Sequence, residues 1–131
     1  EFWLIGGRRR AFKTALESVS LTFHRETFLN IYPERFVYIG DFEFMFKDRH
    51  QEPQSMGTHT LSHFFALELD NEEVKEVEHN LDKGEYESKL RKFALKELYE
   101  SKIHGAVIEA YKRFFLNPPE WKYRHFKVDG I

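Results

Sequence analysis

No cysteine occurs anywhere in the 131 residues, which excludes disulfide frameworks, zinc-thiolate centres and thiol catalysis and fits a reducing compartment. Long apolar runs are missing too. No stretch approaches the roughly 18 to 20 apolar residues needed to cross a bilayer, and the charged start has no signal-peptide pattern, so a cytoplasmic location is expected and a membrane partner is not. Charge of one sign is not in excess either: 20 Lys and Arg stand against 22 Asp and Glu, a formal net charge of -2. Nucleic acid is therefore not an expected partner, and any anion site must be local. Proline is scarce, at four residues, and no repeat or internal linker divides the chain. It reads as a single domain over 1–131, large enough to bury a core without covalent staples. What is abundant is aromatic, with 14 Phe, 6 Tyr and 2 Trp, a composition that suits a core and specifies no chemistry.

The chain opens EFWLIGGRRRAF. Phe2 to Ile5 reads as a short buried strand broken by Gly6 and Gly7. Phe12, Leu16, Val19 and Phe23 then fall at helical spacing, predicting a helix from about Ala11 to Phe28. FVYIGDFEFMF, residues 36 to 46, is rich in aromatic and β-branched side chains and reads as a strand. A polar run containing Pro53 and Gly57 joins it to THTLSHFFALEL at 58 to 69, an expected antiparallel partner. The acidic DNEEVKEVEHNLDKGE reads as a loop with at most one helical turn. Two helical patterns follow, one on Tyr86, Leu90, Phe93 and Leu98, the other from Ile103 to Phe115, ended by Pro118 and Pro119. The order β, α, β, β, α, α points to an α/β (α+β) fold with helices against a mixed sheet.

Strand, Gly-Gly, basic loop and helix in that order resemble the start of the Nudix hydrolase superfamily, whose box reads Gly-x5-Glu-x7-Arg-Glu-U-x-Glu-Glu-x-Gly-U, with U a bulky apolar residue. With Gly7 as the first glycine, Phe23, Glu26 and Leu29 also agree, while Lys13, Leu21, Thr22, Arg25 and Phe28 depart. The GDP-mannose mannosyl hydrolase branch, which has shed most of the same acids, is similar in further places. These are Trp3 and Gly6-Gly7-Arg8, the GDFEFMF strand, Thr58-His59, Glu78-His79 where that branch has Gln-His, Ile103-His104, and Ala110-Tyr111. Together they cover roughly residues 3 to 115.

The resemblance implies a Nudix-like mixed β-sheet sandwiched between helices, with one or two N-terminal strands expected ahead of the hinge, so that either an N-terminal part precedes this sequence or the fold is trimmed. It also implies hydrolysis of a nucleoside diphosphate sugar, GDP-mannose-like, with one Mg2+ (or Mn2+) as cofactor and a homodimer as partner. By that resemblance the metal is held by the Gly6 carbonyl, Glu26 and Glu78. His79 is the general base, Arg8 stabilises the departing diphosphate and binds substrate, and His59 contacts substrate. The chemistry is coherent: a diphosphate leaving group spreads charge over several oxygens that a cation and a guanidinium can meet, and an imidazole can accept a proton near neutral pH. Thr22, Arg25 and Glu26 replace a run of carboxylates, which argues for one metal ion rather than several.

Read without the resemblance, the same residues are plainer. Gly6-Gly7 followed by Arg8, Arg9 and Arg10 is a turn with a solvated basic run, Glu26 a surface carboxylate, His79 a loop residue, and His104 a capping or core residue. His59 and His63 share a strand face about 13 Å apart, too far to hold one ion. Asp41 and Glu43 stand roughly 6.6 Å apart on a strand with no other partner in view. The alternative to a hydrolase is a Nudix-shaped module that has lost catalysis and binds a nucleotide, a nucleotide sugar or a protein.

Overall fold

The computed structural model describes residues 4–49, 51–82, 93–100 and 105–116. Its elements are α1 (Ala15–Thr27), β1 (Val37–Phe46), β2 (Thr58–Ala66), α2 (Asn71–Asp82), α3 (Leu95–Glu100) and α4 (Gly105–Phe115). Helices and an antiparallel hairpin make this an α+β arrangement; among the described residues the sheet has two strands, β1 and β2.

Helix α1 begins later than its apolar spacing predicts because Thr14 caps it. The Thr14 hydroxyl accepts from the Glu17 backbone N–H at 3.2 Å, and the Thr14 N–H donates to the Glu17 carboxylate at 2.7 Å, a reciprocal capping box. Phe12, assigned by spacing to the helix, lies before it with φ 60 and its side chain in solvent. At the other end Phe28 takes up the left-handed conformation, φ 60, and donates its N–H to the His24 carbonyl at 2.7 Å, so the chain turns off the helix there.

One face of α1, Leu16, Val19 and Phe23, packs on the buried cluster of Leu29, Ile31, Phe36, Val77 and Leu81. Phe23 meets Phe36 edge-on, with ring centroids 5.9 Å apart, a favoured aromatic geometry. The core therefore lies between α1, the segment after it and α2, while Phe46 of the aromatic strand stays largely exposed.

Residues 71–82, expected as a loop, form a helix of three turns. Asp70 caps it: its carboxylate accepts from the Glu73 N–H at 2.8 Å and its own N–H donates to Glu73 Oε1 at 3.2 Å. Val74, Val77 and Leu81, spaced three and four apart, supply an apolar stripe in an otherwise acidic run. Arg35 straps the helix start to the rest, donating through Nη1 and Nη2 to Glu73 at 2.7 and 2.9 Å and to the Glu68 carbonyl at 2.8 Å.

The hairpin follows expectation closely. β1 pairs antiparallel with β2, Asp41 opposite His63 and Met45 opposite His59, with a register shift between Tyr38 and Gly40. At that bulge Gly40 has φ 138 and the Arg113 guanidinium of α4 packs where a side chain would stand; only glycine satisfies both demands. Arg113 also lies over the Phe42 ring, 4.6 Å from its centroid, which fastens α4 to one face of the hairpin.

One further sequence expectation is not met. Leu4 and Ile5, the described part of the first expected strand, are not in a strand. The expected helix on Tyr86 and Leu90, the tail beyond Pro118, and His104 lie outside the described residues. No helix among the described residues is long and apolar enough to cross a membrane.

Candidate functional site

A cavity of about 860 Å3 is lined by the segment from Leu4 to Arg9, by α1 and β2, and by Phe93, Leu98 of α3 and Val107 of α4. Gly6, Gly7, Arg8 and Arg9 form one wall. Val19, Thr22 and Phe23 of α1 form a second. The third is β2, which contributes every residue from Thr60 to Phe65. Consecutive strand residues point to opposite faces, so a wall containing all six in a row follows the edge of β2 rather than one face. Among the described residues no strand pairs with that edge.

Gly7 explains how the hinge comes so close to α1. A Cβ built there would stand 3.0 Å from two side-chain atoms of Thr22 and 3.1 Å from Arg25 Nη2, closer than ordinary packing tolerates. The same Arg25 donates through Nη2 and Nε to Glu26 Oε1, at 2.8 and 3.1 Å. A guanidinium thus sits between the glycine hinge and the Glu26 carboxylate, whose side chain keeps 18 % of its surface.

The other candidates are placed elsewhere. Glu78 is half-buried and His79 exposed, both on α2. On that helix Val77 is buried in the core and Asn80 donates to the Thr27 carbonyl at 2.7 Å. With about 100° between successive residues, Glu78 and Asn80 occupy opposite flanks, so the flank that meets the end of α1 carries the amide. Arg8 and Gly6 share the cavity wall; Glu26, His59, Glu78 and His79 are not among its lining residues. Among the described residues no three His, Asp or Glu side chains gather as a group able to hold a metal ion. The expected ligand set, two carboxylates and a backbone carbonyl, is smaller than that. For these residues to share a cation, Arg25 would have to leave Glu26.

The hairpin brings together residues that sequence spacing kept apart. His59 Nε2 lies 2.5 Å from Glu43 Oε1, an exposed cross-strand pair. His63 Nδ1 lies 2.5 Å from Asp41 Oδ1, and the buried Tyr38 hydroxyl donates to that same oxygen at 2.5 Å. Burial works to raise the Asp41 pKa, but the hydrogen bonds from Tyr38 and His63 outweigh it and hold the carboxyl below its ordinary value. Asp41 and Glu43 therefore have histidine partners that strand distance alone could not reveal. The antiparallel hairpin was legible, and a register pairing 41 with 63 would have exposed the contact.

Comparison with protein-family models, curated proteins and solved structures finds no match to this chain. The cavity is mainly apolar, with arginines along one wall and the carboxylate-bound His63 among the residues of another.

Proposed function

We propose that the cavity binds a nucleoside diphosphate or nucleoside diphosphate sugar, its phosphates on Arg8 and Arg9 and its ring system against the apolar wall of α1 and β2. The observation that carries this reading is the cavity itself, whose volume of about 860 Å3 falls in the range of small-molecule sites, roughly 300 to 1,000 Å3. Its walls are mainly apolar, and Gly6, Gly7, Arg8 and Arg9 form the side on which an anion would be met, Arg9 through the terminal nitrogens beyond the Nε that donates to the Lys13 carbonyl. Arginine suits such a ligand because its planar fork matches phosphate oxygens. Titration calorimetry with guanosine and uridine diphosphates tests the reading. Binding that weakens at least tenfold in Arg8→Ala/Arg9→Ala supports it. Absence of saturable binding to the unaltered chain, or equal affinity in the double variant, removes it.

A second reading, a Nudix-like hydrolase of the same ligand class, is favoured by the closeness of Glu26 to the hinge through Arg25. In it Gly6 and Glu26 would be the residues at the hinge able to hold Mg2+, which would supply charge neutralisation for a diphosphate; Glu78, on the flank of α2 away from the end of α1, and the exposed His79 do not fit the ligand and base roles the resemblance implies. Release of sugar or nucleotide from GDP-mannose in the presence of Mg2+, lost in Glu26→Gln, distinguishes catalysis from binding alone.

A further inference from the structure

We infer that His63 is the hydrogen-bond acceptor of the cavity, its Nε2 taking an O–H or N–H donor of the bound nucleotide, with Asp41 and Tyr38 as the residues that position it. The inference rests on the reading of the cavity as a nucleotide site and adds to it a polar group that the family resemblance does not assign.

Three observations carry it. His63 is among the residues that line the cavity while Asp41 and Tyr38 are not, and with Nδ1 engaged by Asp41, Nε2 is the imidazole nitrogen that remains to meet a ligand there. Asp41 lies directly opposite His63 in the strand register and contacts Nδ1 through Oδ1. The Tyr38 hydroxyl donates to that same oxygen, and its ring lies beside the imidazole, centroids 6.5 Å apart, which restricts how the ring can turn.

The chemistry follows from donor and acceptor capacity. An ionised carboxylate can only accept, so the hydrogen shared with Asp41 belongs to His63 Nδ1. In a neutral imidazole the other nitrogen then keeps its lone pair. A carboxylate behind a histidine sets both the tautomer and the ring orientation of the imidazole, and so decides which nitrogen faces a ligand. A histidine paired to carboxylate merely to join two strands would show the same contact to Asp41, but nothing would happen at Nε2 when the cavity fills.

Nitrogen NMR of the full chain labelled in histidine reads that difference, with the His63 resonances assigned by their loss in His63→Gln. The expected result is an Nδ1–H tautomer in the unaltered protein and a shift of the Nε2 resonance on saturation with guanosine diphosphate. An Nε2–H tautomer overturns the inference. So does an unmoved Nε2 while the amides of Gly6 to Arg9 respond to the nucleotide, a result that leaves the cavity reading standing. If neither the amides nor His63 respond, the cavity reading fails and takes this inference with it. Affinity gives a second measure. His63→Leu should weaken guanosine diphosphate binding about tenfold, the scale of one buried hydrogen bond, with His63→Gln recovering part of it and Asp41→Ala behaving like His63→Leu. Equal affinity in folded His63→Leu overturns the inference.

Discussion

Asn80, near the end of α2, donates its side-chain amide to the backbone carbonyl of Thr27, 53 residues earlier, at 2.7 Å. Thr27 has no exposed surface, and its carbonyl is one of those that a helix end leaves without an intrahelical donor. One side chain thus satisfies the last turn of α1 and joins the two helices that enclose the core.

Removing that amide leaves a buried acceptor without a partner. Asn80→Ala should lower stability by about 1 to 3 kcal/mol, read as a reduced midpoint in urea with an unchanged slope. An unchanged midpoint would show that water replaces the amide freely.

Phe28 ends α1 in the left-handed conformation with 67 % of its surface exposed. Burial returns little at such a position, whereas the backbone strain of a non-glycine residue costs about 1 kcal/mol. Phe28→Gly is therefore expected to raise the melting temperature, a sign opposite to that of most substitutions of aromatic residues. A lower melting temperature would mean that the ring makes contacts worth more than the strain.

The Arg35 guanidinium, hydrogen-bonded to Glu73, and the Asp70 backbone N–H hold the Glu73 carboxyl well below the usual carboxylate range, at about 2. A carboxyl depressed in the folded state contributes stability that is complete above its unfolded value, about 4.3, and is lost as pH falls towards 2. Glu73→Gln should remove this component. Chemical denaturation from pH 6 down to pH 2 should then show a shallower loss of stability in the variant than in the unaltered chain, and parallel curves would contradict the linkage.

Arg25 occupies the space between Gly7 and Glu26, where the hydrolase reading needs a divalent cation. Two cations so close compete for one carboxylate. Arg25→Ala is expected to tighten Mn2+ binding about tenfold, roughly 1.4 kcal/mol, and adding Glu26→Gln should abolish the gain. Paramagnetic titration measures both. Equal Mn2+ affinity in all three proteins would remove Glu26 as a ligand.

Much of the local structure was legible because it is written in short spacings. The apolar residues of α1 at three and four apart, and the aromatic and β-branched run of β1 followed by its partner, depend only on neighbours in the chain. Helix α2 is hidden in the sequence because acidic residues outnumber its apolar stripe, although Asp70 and Glu73 carry the spacing of a cap. The proposed cavity was legible only in part. Gly6, Gly7 and Arg8 stood out as a hinge with bound charge, but His63 drew attention as half of a histidine pair rather than as the partner of Asp41.

Sequence by itself determined where α1 and the hairpin form, since capping, spacing and side-chain shape act over a few residues. Only the tertiary structure decided that Asp41 faces His63, because the polar loop from Lys47 to Gly57 can close at several registers and packing selects one. It also decided that Arg25 lies between Gly7 and Glu26, because that contact depends on how closely a segment without a side chain can approach a helix it does not belong to.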